Sequence, residues 1–229
     1  MRVKFGLLIL VLMAGFALFV NFFIINKLEE DSRFKLESSM IHEFQAYERG
    51  RMATVESRLA PARELAREEK LLTAMMLPAD TDQAAEDRHF EVFTKLEALS
   101  RLKYPAYQII ITDADGAELA RTQTGKWFKE RWADKYKLVR QVIDTGIEGE
   151  DIWMMKDRIS IASAVPVRFD GRLVGVLIVG NAIDEELARM EKSIGGSDYA
   201  FYSRDRVIAS TLTSVRQAYL NDYVSRNSE

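Results

Sequence analysis

Residues Ile159 to Asn181 read as two apolar runs joined by Asp170-Gly171, and that pairing restricts the chain more than any other feature. Ile159, Ile161, Val165 and Val167 alternate with Ser160, Ala162, Ala164 and Arg168, the period of two that marks a strand with one buried face. Asp170-Gly171 supplies a tight turn, because glycine accepts positive φ freely and Asp tolerates it better than most residues. The return run from Leu173 to Val179 is apolar on both faces, which predicts the central strand of a sheet covered on both sides. A long hairpin with one fully buried arm needs more strands and a layer of helices.

The rest of the chain offers both. Tyr107 to Thr112 is joined through Asp113-Ala114-Asp115-Gly116 to Ala117 to Arg121, and Asp151 to Met155 is a further short strand. With the hairpin, these predict an antiparallel sheet of about five strands in an α+β fold. A long excursion, Thr122 to Glu150, separates the second strand from the third and holds a helix over 134–143. Before the sheet, Leu28 to Leu59 lacks proline and carries an apolar stripe at Met40, Ile41, Phe44, Tyr47, Met52, Val55 and Leu59. Such a helix needs a sheet or a second copy to cover its stripe. Pro61 predicts a kink or a fresh start. A second helix is expected over 62–77, closed by Pro78. Asp80 with Gln83 reads as a capping box for a third over 82–102, with Phe90, Phe93, Leu96 and Leu99 on its apolar side. After the last strand, 183–194 reads as a helix, and 198–203 with 206–210 as another hairpin.

The chain opens Met1-Arg2-Val3-Lys4 and then runs apolar from Phe5 to Ile25, broken only by Gly6, Gly15 and Asn21. About 21 residues at 1.5 Å each span roughly 30 Å, the hydrocarbon thickness of a bilayer. The run is longer than a signal-peptide core and lacks a small-x-small cleavage site. Arg2 and Lys4 precede it, while Glu29, Glu30 and Asp31 follow, which places the N-terminus in the cytoplasm and the bulk outside. A net charge of −3 argues against a nucleic-acid partner. Cysteine is absent and only His42 and His89 are available, which excludes thiol chemistry and argues against a zinc or histidine-dependent hydrolytic site. No spacing singles out a nucleophile or an acid–base pair, so neither enzymatic activity nor a cofactor is expected.

Together the span, the long helix, the Asp113-x-Asp115-Gly116 turn, the helical excursion, Ser163 to Val167 and Gly171 to Gly180 resemble the Cache family of extracytoplasmic PAS-like sensor domains. The resemblance covers roughly Leu28 to Ser210, and the final hairpin is similar to the start of the second module in double-Cache sensors. It implies a cytoplasmic N-terminus at 1–4, a transmembrane helix at 5–25, a helical stalk at 28–104, a sensor module at 105–183, and a helix with the beginning of a second module at 184–229. The implied role is the ligand-sensing region of a bacterial inner-membrane receptor of kinase, cyclase or chemotaxis type, periplasmic in bulk and homodimeric through its stalk. Such receptors ordinarily continue through a second span, and nothing after Ile183 is apolar for even ten residues. The expectation is the N-terminal part of a longer receptor; signalling through a partner or a single span in a dimer is the alternative. The competing reading is a tethered structural dimer without a ligand, assembled through Phe44, Val55 and Leu59.

In the family the pocket lies over one face of the sheet, walled by the excursion between the second and third strands. That maps onto Thr122 to Met155, which holds all three tryptophans, Trp127, Trp132 and Trp153, with Phe128, Arg131 and Tyr136. The resemblance makes Arg121 and Arg131 the candidates for a bidentate grip on a carboxylate and Asp151 or Asp157 for an ammonium. Ser163 and Asn181 are expected to face the same cavity. Each has a plainer reading as local core or solvated surface. The Arg-x-Trp-Tyr arrangement of amino-acid-binding Cache domains is absent, since Arg131 and Trp132 are contiguous and Tyr136 comes late. That argues against an amino acid and leaves an organic acid or similar small molecule.

Overall fold

The computed structural model describes residues 45, 47–104, 107–122, 124, 126–155, 158–203 and 206–226. The chain divides into two units, 1–49 and 50–229, and the elements below belong to the second. The apolar run at 5–25 and Phe44 lie outside the described residues; among those described, no helix is long and apolar enough to cross a membrane.

Five strands form one antiparallel sheet: β1 (Gln108–Asp113), β2 (Glu118–Arg121), β3 (Gly149–Met155), β4 (Arg158–Phe169) and β5 (Arg172–Ala182), in the order β2-β1-β5-β4-β3. β5 is the middle strand, as its two-sided apolarity requires. It pairs with β1 from Gln108↔Gly180 to Asp113↔Gly175 and with β4 from Ser160↔Ala182 to Phe169↔Arg172. The β4–β5 turn has positive φ at both central residues, Asp170 at 48° and Gly171 at 78°, the primed geometry that matches strand twist. In the β1–β2 turn the Asp113 carboxylate accepts from the amides of Asp115 and Ala117 at 3.0 and 2.8 Å.

Strand alternation divides the interior into two layers. Ile109, Ile111, Val165, Val167, Leu177 and Val179 face a helical layer that contributes Leu59, Leu65, Leu71, Val92 and Leu96. These come from α1 (residues 50–66 within this unit), α2 (Glu69–Met75) and α3 (Asp82–Lys103). Ile110, Ala162, Ala164, Val176 and Ile178 face the other way, onto α4 (Trp132–Lys135) and α5 (Lys137–Thr145). Beyond β5, α6 (Glu185–Gly195) leads to a two-stranded sheet, β6 (Ala200–Ser203) and β7 (Arg206–Ser210), and to α7 (Ser214–Arg226). A small core of Ile161, Ile183, Leu187, Ala188 and Ala209 joins α6 to this hairpin.

The helices depart from the sequence expectation in several places. α1 runs through Pro61 to residue 66, and the interruption falls at 67–68. Leu59, Ala62, Leu65 and Ala66 are buried on both sides of the proline, and this packing offsets the lost backbone hydrogen bond. The expected helix over 62–77 is therefore the end of α1 followed by α2. The inward side of α1 includes Thr54 and Arg58, while Met52 is exposed. Val55 and Leu59, expected at an assembly seam, pack on the protein's own core. α3 is capped by Thr81, whose Oγ accepts from the Ala84 amide at 3.1 Å, one residue after the expected Asp80. It buries Val92, Leu96 and Ser100, leaving Phe90 exposed. The terminal helix α7 was not anticipated.

A buried charge ties the layers together. Arg58, 9% exposed, donates from Nε and Nη2 to the two carboxylate oxygens of Glu150 on β3, at 2.9 and 2.8 Å. Its Nη1 pairs with Glu191 on α6. Ser163 on β4 donates its hydroxyl to Glu150 at 2.8 Å. Burial works against the Arg58 charge, but the hydrogen bonds and charges of Glu150 and then Glu191 outweigh it and hold the guanidinium above its ordinary range.

Four substitutions test this architecture. Arg58→Met leaves the buried Glu191 and the half-buried Glu150 without this cation and is expected to cost about 3–5 kcal/mol in urea unfolding; Glu191→Gln should cost much less, because its amide oxygen still accepts from Arg58. Gly175→Ala is expected to cost about 2 kcal/mol or more, because a Cβ there overlaps the Thr112 carbonyl of β1 and lies 2.7 Å from Met75 Cε. At Gly171 nothing lies within 4 Å, so the same change costs only the strain of positive φ, about 1 kcal/mol.

Candidate ligand-binding faces

On the face away from α1, a β-bulge creates the first polar feature. Ile110 pairs with Arg121 and Thr112 with Glu118, with the register shifting between Ile111 and Thr112. Residues three apart on a regular strand point to opposite faces, but the bulge turns Glu118 and Arg121 to the same one. Glu118, 1% exposed, is chelated by Arg121, with Nε at 3.0 Å from Oε1 and Nη2 against Oε2. Trp132 Nε1 donates to Glu118 Oε2 at 3.0 Å.

Around this pair the aromatic residues separate into two groups. Trp132, Tyr136 and Trp153 stack on one another, with ring centroids 3.9 Å apart for Tyr136–Trp153, 5.1 Å for Trp132–Tyr136 and 5.9 Å for Trp132–Trp153. Trp153 Nε1 donates to Asp151 at 3.1 Å. Both indoles are buried in the α4–α5 core. Trp127 sits at the β2 edge instead, donating to the Glu118 carbonyl at 2.8 Å and stacked at 4.9 Å on His89 of α3.

Residues 126–131 form an irregular strap across β2. The Glu118 amide donates to the Glu130 carbonyl at 2.8 Å, and Phe128 lies 4.3 Å from the Arg121 guanidinium carbon. The Glu130 Oε2 lies 3.4 Å from the Arg121 guanidinium and 3.9 Å from the Lys135 ammonium, and neither contact is a hydrogen bond. Arg131 is exposed and pairs with Asp134 at 3.0 Å. Asp157 lies outside the described residues.

Ser163 and Asn181 share the opposite face. Each has the strand parity of Val165 and Val179, which face the α1–α3 layer, and Ser163 is committed to Glu150. Asn181 is 4% exposed, and its Oδ1 has no hydrogen-bond partner. It lines a cavity of about 420 Å³ with Tyr107, Arg158, Asp184, Glu186, Leu187 and Met190. The site residues that sequence reasoning missed are acidic: Glu118, Glu130 and Glu186. Glu118 carried a signal, an acid inside a predicted strand, but the bulge that pairs it with Arg121 left none.

The comparisons agree with this architecture. Residues 46–227 match the family model described as the double sensory domain of two-component sensor kinase. No curated protein matches. Among solved structures, the sensory domain of the Campylobacter jejuni chemoreceptor Tlp3 (CcmL) with isoleucine bound is 14% identical, covering 81% of this chain and 74% of that one, with a TM-score of 0.52. The ligand-binding domain of Tlp3 in complex with L-valine has the same identity and coverages and a TM-score of 0.51. The sensor domain of the V. cholerae histidine kinase DctB is also 14% identical, covering 83% and 76%, with a TM-score of 0.48. The Tlp3 likenesses support the fold, and the family match extends over most of the chain. This chain belongs to the double sensory domain family of two-component sensor kinases, and its role is that of a sensor region.

Proposed function

We propose that this chain is the extracytoplasmic sensing region of a transmembrane receptor, anchored by residues 5–25 and homodimeric through its first helix, and that it reads a small organic acid at Arg121. The observation that carries the reading is the unequal grip of Arg121 on its two acids. Glu118 is buried and chelated. Glu130 belongs to the strap and meets Arg121 only through Oε2 at 3.4 Å, an ion pair without a hydrogen bond that it shares with Lys135 at 3.9 Å. A ligand carboxylate with better geometry displaces Glu130 and gains a charge-assisted bond.

The stacked rings of Trp132, Tyr136 and Trp153 supply the apolar wall such a ligand needs. Displacing the strap alters the packing of the excursion that leads into β3, whose Glu150 holds Arg58 on α1. Ligand binding then favours one of two packings of α1 on the sheet. No reaction of the bound molecule is involved.

The test is calorimetric titration of the full chain in detergent against a panel of mono- and dicarboxylates. At least one carboxylate should bind saturably, and Glu130→Gln, which removes the internal competitor, should tighten it roughly twofold to fivefold, the worth of an exposed ion pair of up to about 1 kcal/mol. Silence across the panel in both proteins, or weaker binding by Glu130→Gln, contradicts the proposal.

A further inference from the structure

The cavity around Asn181 lies on the other face of the sheet from Arg121 and calls for a different occupant. Its volume of about 420 Å³ falls in the range of small-molecule pockets. Its deepest polar group is the Asn181 side chain, whose Oδ1 is an acceptor without a donor. An acceptor left bare in this way has lost its water without gaining a donor, so the cavity is poised for a molecule that brings an N–H.

The charges around the rim agree. Asp184 and Glu186 supply two carboxylates, against the single guanidinium of Arg158. Asp184 spends one oxygen on the Leu187 amide at 2.9 Å, capping α6, and Glu186 and Arg158 make no ion pair among the described residues. Leu187 and Met190 give the cavity an apolar side suited to a short alkyl chain. Burial first, and the neighbouring Glu186 charge second, raise the Tyr107 phenol above its ordinary range, so its hydroxyl stays neutral.

We infer that this cavity is a second binding site, for a small organic cation bearing N–H donors, a primary alkylamine or diamine, with Asn181 Oδ1 accepting one donor and Glu186 and Asp184 balancing the charge. The site adjoins the connector between the two sheets. Met190 on its wall immediately precedes Glu191, the acid that joins α6 to Arg58. An occupant therefore bears directly on the helix that links the five-stranded module to the β6–β7 hairpin, independently of the strap on the far face.

The experiment is titration of the full chain in detergent with 1,4-diaminobutane and butylamine, with butyrate as the anion of matched length. The amines should bind saturably at millimolar concentration or below. Asn181→Leu should weaken them about tenfold by removing the acceptor. Glu186→Gln, an exposed change that leaves the fold intact, should weaken them severalfold, and Arg158→Gln should tighten them. Glu130→Gln should leave amine binding unchanged, which separates this site from the one at Arg121. No saturable binding of either amine, or binding that survives both Asn181→Leu and Glu186→Gln in proteins with wild-type melting, overturns the inference. So does a butyrate site lost in Asn181→Leu while the amines stay silent.

Discussion

One guanidinium decides how the first helix sits on the sheet. Arg58 reaches Glu150, 92 positions away, and Glu191, 133 positions away, so an edge strand and the connecting helix share a single cation with α1. Buried ion pairs are a weak source of net stability, because desolvation consumes most of the attraction. The driving force for folding is the apolar contact of Leu59, Leu65, Val92 and Leu96 with Ile109, Val165 and Leu177. The buried charges add selectivity: a slide of α1 by one turn separates Arg58 from both acids, whereas the apolar surface alone tolerates several registers. Two arms of the contact are unlike. Glu150 is gripped through two nitrogens and braced by Ser163, while Glu191 is held through one.

The two faces of the sheet differ in chemistry. Toward α1 the inward side chains of β1, β4 and β5 are mostly aliphatic, with Ser163 and Asn181 as polar exceptions. The other face carries a buried acid, an arginine and stacked rings under an irregular strap. A charged group in that position is retained only with partners, and the bulge in β2 supplies them by bringing Arg121 beneath Glu118.

Local chemistry explains which parts were legible from the residues alone. Asp170-Gly171 and Asp113 to Gly116 announce their turns because the conformations they adopt suit few other residue types. The unbroken apolarity of Leu173 to Val179 announces the middle strand for the same kind of reason. Alternation showed that Ser163 and Asn181 share a face, but no pattern within one strand says what covers that face. The partners of Arg58 are set by tertiary packing across distant segments, and nothing near residue 58 signals them. Pro61 shows the opposite limit, a strong local preference overridden by buried neighbours on either side. On α3 the spacing of Phe93, Leu96 and Leu99 marked a side that does pack on the core, whereas Phe90 is exposed and the close approach to the sheet also buries Val92 and Ser100.

The placement of the indoles has an optical consequence. All three tryptophans of the chain lie in or beside the excursion between β2 and β3, and the segment after β5 contains tyrosine but no tryptophan. Emission excited at the red edge of the protein band therefore originates from the α4–α5 face of the sheet and from its β2 edge. Two of these fluorophores sit within van der Waals reach of a third ring and of one another's fields, and the third rests on an imidazole. The molecule thus carries its lamps on one face and one edge of the sheet, while the Asn181 cavity and the terminal hairpin hold none.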